Sequence, residues 1–146
     1  YGAMQQLGLW KYVKKTYASE PYYNDIKSDY EVRPQYYAYS LLTRFIRPGA
    51  EIYPIATPEE WYAGTALRNT NGKWVYVFAN GMDQEKAISL INQHTQTKGN
   101  YQVYRYIKDG LPTTDQMLAP DAQPLKVNDK ILCLLPAHSV IVLKQE

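Results

Sequence analysis

A single cysteine, Cys133, leaves the chain unable to form an internal disulfide. Only two histidines occur, His94 and His138. A zinc site needs three or four ligands, so one thiol and two distant imidazoles make none, and no metal or other cofactor is expected. No apolar run reaches the roughly 18 residues needed for a spanning helix, and no signal-peptide pattern is visible. Charge of one sign is scarce too: 16 basic and 14 acidic residues leave a net +2. That is too little to draw nucleic acid or a membrane surface. A glycine-rich phosphate loop is missing, because Asn71-Gly72, Asn80-Gly81 and Asp109-Gly110 read as turns. The G-x-S-x-G elbow of serine hydrolases is absent as well. The chain opens at Tyr1 rather than at an initiator Met, which suggests a fragment of a longer precursor with its targeting signal upstream.

What the chain has in excess is tyrosine: 15, beside 3 Trp and 2 Phe. These side chains combine a large apolar body with a polar tip and suit sandwich cores, half-wet interfaces or sugar-facing platforms. The 146 residues divide into a Tyr-rich, helix-permissive part up to residue 48 and a strand-and-turn part from 49 to 146. In residues 3–17, Ala3, Leu7, Trp10, Val13 and Tyr17 recur at roughly helical spacing. Gly8 weakens that helix by about 1 kcal/mol against Ala. Residues 18–33 carry Pro21, Asn24, Asp25, Ser28 and Asp29, which is loop chemistry. A second helix is clearer. Pro34 suits a first turn. Tyr37, Ala38, Leu41, Leu42, Phe45 and Ile46 fall on one face. Arg44 and Arg47 complement the negative end of the dipole, and Pro48-Gly49 stops the helix.

Short strands then alternate with turn signals: Glu51 to Ile55, Thr65 to Asn69, Trp74 to Ala79, Ala87 to Ile91, Tyr101 to Ile107, Leu125 to Val127, Ile131 to Leu135 and Ser139 to Leu143. Asn71-Gly72 predicts a two-residue hairpin. Trp74 to Ala79 is apolar on both faces, which places it centrally between two layers. Pro112 to Gln123 reads as an irregular connection, and Pro136-Ala137-His138 as a kink or bulge. Cys133, inside Ile131 to Leu135, reads as a buried, inert thiol. Together these signals predict a mainly β fold: an antiparallel β-sandwich of about eight strands preceded by an N-terminal helical segment.

Three stretches carry a resemblance: residues 33–50 (RPQYYAYSLLTRFIRPGA), 65–80 (TALRNTNGKWVYVFAN) and 134–143 (LLPAHSVIVL). In this order and spacing they resemble the end of clan A glycoside hydrolases, family 30 in particular. There a last barrel helix leads from a (β/α)8 barrel into a C-terminal β-sandwich. The resemblance implies that residues 1–48 end a barrel and that residues 49–146 form the sandwich. It also implies a partner, the catalytic barrel of the same precursor, and a secreted, periplasmic or cell-surface enzyme of bacterial carbohydrate metabolism. The two catalytic glutamates of that family would lie upstream of Tyr1, so no catalytic residue is expected here.

The remaining chemistry agrees. Glycoside hydrolysis needs two carboxyl groups facing each other across a cleft, whereas the acids here are scattered through loops. Thr57-Pro58-Glu59-Glu60 reads as a helix start, with Thr57 as cap and acids in the first turn. The favoured reading is therefore a non-catalytic support module. The alternative is a carbohydrate-binding module using exposed Trp and Tyr side chains. Its candidate sugar-contacting residues are Trp10, if Leu9-Trp10 ends a barrel strand as the resemblance implies and not the helix read locally, Trp61-Tyr62, and Tyr104 and Tyr106, which share a strand face; Tyr101 is a further aromatic nearby. Each of them also reads as an ordinary core or interface residue.

Overall fold

The computed structural model describes residues 9–12, 30–57, 62–91, 95–112 and 116–146. Strands β1 (Trp10–Tyr12) and β2 (Tyr30–Val32) form a small antiparallel ladder, with Trp10 opposite Val32. This corrects the helical expectation for residues 3–17 where that stretch is described. The Arg33 amide donates to the Leu9 carbonyl at 2.9 Å, extending the ladder. Aromatic and β-branched residues favour such pairing, and a partner some twenty positions away is invisible to a local helical count. The loop reading of residues 18–33 likewise gives way to β2 over its last described residues.

Helix α1 (Pro34–Phe45) follows, with Pro34 in the first turn as expected. Its stripe divides in two. Tyr37, Leu41 and Phe45 are buried against Leu67, Val75, Tyr104, Leu118 and Val142, with Ile46 packed beside them. Ala38 and Leu42 are only half-buried and Tyr39 is exposed. So three of the six apolar residues are buried, not all six, because one helix face can meet a single flat sheet along one row only. Arg44 spans the contact. Its guanidinium donates to the Leu118 carbonyl at 3.2 Å and stands 5.0 and 5.1 Å from the ring centres of Phe45 and Tyr104.

Eight strands complete the chain: β3 (Glu51–Ile55), β4 (Tyr62–Arg68), β5 (Trp74–Asn80), β6 (Lys86–Ile91), β7 (Gly99–Ile107), β8 (Leu125–Val127), β9 (Lys130–Leu135) and β10 (Ser139–Gln145). Six form one antiparallel sheet in the order β3-β4-β5-β10-β7-β8, and β6 pairs with β9 in a second layer. One face of the large sheet packs against α1. The other, through Tyr76, Phe78, Tyr101, Val103, Ile141 and Leu143, packs against Ile88, Leu90, Ile131 and Leu135 of the small sheet. The mainly β sandwich expected from the sequence is the fold observed. Strand β5 is central, as its two apolar faces require.

The exit of α1 and the β4–β5 loop meet in space. The side-chain amide of Asn69 donates to the Phe45 carbonyl at 2.9 Å, and its oxygen accepts the Arg47 amide at 3.1 Å. One side chain thus satisfies both a carbonyl left over at the helix end and an amide beyond it. Gly49, at φ +82°, turns the chain away, and a Cβ there would meet the Thr70 methyl at 3.2 Å. The predicted two-residue hairpin is longer than expected: the Asn69 amide bonds the Lys73 carbonyl at 2.9 Å, and Gly72 at φ +79° closes the loop. Asn69 is needed for the helix exit, so the loop lengthens to present it.

Asn80 holds the other end of β5. Its amide donates to the carbonyls of Gln84, Leu135 and Pro136 at 2.8, 3.2 and 2.9 Å. The Pro136-Ala137-His138 stretch, expected as a kink or bulge, is a tight turn that carries the chain from β9 in one sheet to β10 in the other, with His138 at φ +47°. We expect Asn69→Ala to lower stability by about 1–3 kcal/mol, the cost of orphaning buried backbone groups. Urea unfolding measures this, and an unchanged midpoint would mean that the clamp at the helix exit is not made.

Candidate functional site

The aromatics singled out in the sequence occupy several different places. Tyr62 is buried in the core between the sheets, with the Lys86 ammonium 5.4 Å from its ring centre. Tyr101 is fully buried there, and its hydroxyl donates to the Thr97 carbonyl at 2.7 Å. Tyr104, only 4% exposed, packs on the opposite face, its ring centre 4.5 Å from that of Phe45. Tyr106 shares that face, as the period of two requires, and is half-buried. Trp10 is described through its backbone, on β1. Trp61 lies outside the described residues, as do Pro58, Glu59 and Glu60 of the expected helix start. The hydroxyl of Thr57, the expected cap, donates to the Tyr62 carbonyl at 2.7 Å.

Several described carboxylates lie against basic side chains. Asp121 accepts from Arg105 at 2.8 Å, Asp129 from Lys98 at 2.6 Å, and Asp83 lies 2.6 Å from His138. Glu51 lies 3.9 Å from Arg68. The hydrogen bond and charge of Lys98 hold the Asp129 carboxyl below its usual range. A general acid needs the reverse, a carboxyl raised by burial. Among the described residues no group of three or more His, Cys, Asp or Glu could hold a metal ion.

Cys133 is half-buried rather than buried, packed against the core between the sheets. Its neighbours Leu132 and Leu134 stand on the outer face, 62% and 47% exposed. The run of apolar residues in β9 is therefore a half-buried edge strand, and its alternation is masked by leucines on the wet side. Burial raises the Cys133 thiol pKa, against the opposing charge of Arg105, so the thiol is a poor nucleophile.

One cluster went unnoticed in the sequence. Glu51, Arg68 and Trp74 lie in line across β3, β4 and β5, and Tyr53 is next along β3. The Tyr53 hydroxyl donates to Glu51 at 2.8 Å, and its ring centre is 5.2 Å from that of Trp74. Strand periodicity alone puts Glu51 with Tyr53. Only the register brings Arg68 and Trp74 beside them.

No protein-family model matches the chain, and no curated protein matches it. Solved structures do. An endoxylanase of glycoside hydrolase family 30 from Clostridium papyrosolvens C71 superposes with a TM-score of 0.63 at 21% identity, over 79% of this chain and 28% of that one. The catalytic domain of a family 30 xylanase C from Talaromyces cellulolyticus gives 0.62 at 20% identity, over 81% and 25%. A family 30 subfamily 8 xylanase from Clostridium acetobutylicum gives 0.63 at 20%, over 84% and 30%. These are the structures of the family that residues 33–50, 65–80 and 134–143 resemble. The likeness is one of fold, and the chain spans 25–30% of their length.

The buried tyrosines set a pH limit. Burial raises the hydroxyl pKa of Tyr76 and of Tyr101 above the ordinary 10.0. The unfolded chain therefore loses these protons first, and stability constant below about pH 10 falls as pH rises beyond it. In an alkaline absorbance titration, Tyr76 and Tyr101 should ionise only together with unfolding. Their smooth titration in the folded chain would contradict the burial described.

Proposed function

We propose that this chain is the C-terminal support module of a family 30-like glycoside hydrolase. Residues 1–48 would complete a (β/α)8 catalytic barrel and residues 49–146 form the sandwich that braces it. The observation that carries this reading is partial coverage: the fold is shared with enzymes that act on xylan by name, yet over only 25–30% of their length. The rest of such an enzyme is where its chemistry would lie. Helix α1 supports the reading. One stripe, Tyr37, Leu41 and Phe45, is buried by the sheet, while Ala38, Tyr39 and Leu42 form a neighbouring stripe that the sheet leaves uncovered, with Tyr39 57% exposed. A helix apolar on two flanks belongs in a seam between two bodies.

Asp129, whose carboxyl Lys98 holds below its usual range, is the opposite of the raised carboxyl that a general acid requires. The parent enzyme would be exported and would act on β-linked sugars. No helix among the described residues is long and apolar enough to cross a membrane.

Two measurements test this. The purified chain should not hydrolyse aryl β-xylosides or β-glucosides, and turnover abolished by substituting one of its own glutamates would refute the support role. Leu42→Glu should cost the isolated chain only about 1 kcal/mol, because Leu42 is half-buried there. In the barrel-containing polypeptide it should cost about 2 kcal/mol or more by burying an unpaired charge. Equal effects in both would place Leu42 outside any seam.

A further inference from the structure

The cluster of Glu51, Tyr53, Arg68 and Trp74 lies on the face of the large sheet opposite α1, on its β3 side. Glu51 and Arg68 are register partners, as are Arg68 and Trp74, so the three side chains stand abreast. Tyr53 faces the small residue Ala66 across the ladder, which leaves its ring room beside Trp74. That ring is 44% exposed, whereas Trp74 is 7% exposed. The result is an aromatic shelf with a buried back wall and an open front, flanked by one carboxylate and one guanidinium.

The polar groups of the cluster do not balance. The indole Nε1 of Trp74 and the Nε of Arg68 are both shut off from solvent, and neither has a hydrogen-bond partner. Buried donors are normally satisfied, and each orphan costs free energy that a suitable acceptor would return. Meanwhile Glu51 accepts from Tyr53 at 2.8 Å and keeps further acceptor capacity. The cluster thus offers surplus donors, a carboxylate acceptor and an exposed aromatic face within a few side-chain widths.

We propose that this cluster is a binding site for a neutral pyranose unit of a polysaccharide. The C–H face of a sugar ring stacks on an aromatic ring, and its hydroxyls both donate and accept, so one ring on the Tyr53 face can use the Glu51 carboxylate and the Arg68 guanidinium together. The side chains of Arg68 and Glu51 are 42% and 59% exposed, so both charged groups are open at the front of the shelf. Glu51, flanking the shelf on the edge strand, works against phosphate and other anions, so a nucleic acid or acidic polymer fits poorly. An apolar peptide would strand the carboxylate and guanidinium. The site lies across the sheet from the uncovered stripe of α1, so a body seated on that helix does not occupy it. It does not depend on the support role and stands or falls separately.

Native affinity gels containing soluble arabinoxylan or hydroxyethylcellulose test the site on the full chain. The unaltered chain should be retarded by at least one of these neutral polymers. Tyr53→Ala and Arg68→Met should each weaken retardation by about tenfold, the order of one lost stacking or charged hydrogen-bond contact. Tyr39→Ala, at the exposed tyrosine of α1, should not. Near-UV circular dichroism checks that each variant keeps its fold. As a second readout, xylohexaose or cellohexaose should shift the tryptophan emission of the unaltered chain and not that of Trp74→Phe. No retardation by either polymer, or retardation that survives Tyr53→Ala, overturns the proposal.

Discussion

Strands β5 and β10 lie side by side in the middle of the large sheet and carry apolar side chains on both faces. Val75 and Val142 point one way, Tyr76, Phe78, Ile141 and Leu143 the other. Burying these surfaces is the main favourable term available to the domain, and it can be realised only if both faces are covered. Helix α1 covers one and the β6–β9 layer covers the other. The remaining features are the means by which two dissimilar covers are held at the right distance and angle.

Those means are mostly polar. Asn69 satisfies the exit of α1 from the β4–β5 loop, and Gly49 provides the close turn that lets the two segments touch. At the far end of β5, Asn80 reaches the last carbonyls of β9 and so ties the two sheets together. Arg105, projecting from β7 toward the second layer, donates to the Leu134 carbonyl at 3.2 Å while paired with Asp121. Buried polar groups such as Asn69 and Asn80 add little net stability when satisfied but cost much when broken. They select one arrangement of the layers from several that apolar burial alone would permit.

The same economy bears on function. Most of the described aromatics are consumed in the two cores, and four of the described acids, Glu51, Asp83, Asp121 and Asp129, lie against basic side chains. What remains open lies where the covers end. Two strands cannot roof six, so the Tyr53 shelf is exposed near the β3 edge, and one helix row cannot cover two stripes, so Tyr39 is exposed and Ala38 and Leu42 stay half-buried. The proposed support on one side and the proposed recognition on the other are compatible because the sheet separates them.

By itself the sequence determined the class of fold and most of its parts. The stripe from Tyr37 to Phe45, the Pro34 start, the Pro48-Gly49 stop, the doubly apolar β5 and the short strands with their turns all follow from local periodicity and backbone chemistry. Tertiary structure decided which face each aromatic occupies, that Trp10–Tyr12 is a strand, that the β4–β5 loop is lengthened around Asn69, and that Glu51, Tyr53, Arg68 and Trp74 meet. The physical reason is range. Periodicity tells a residue which neighbours share its face, but only pairing register and layer packing, set between segments far apart in the chain, say what that face will touch.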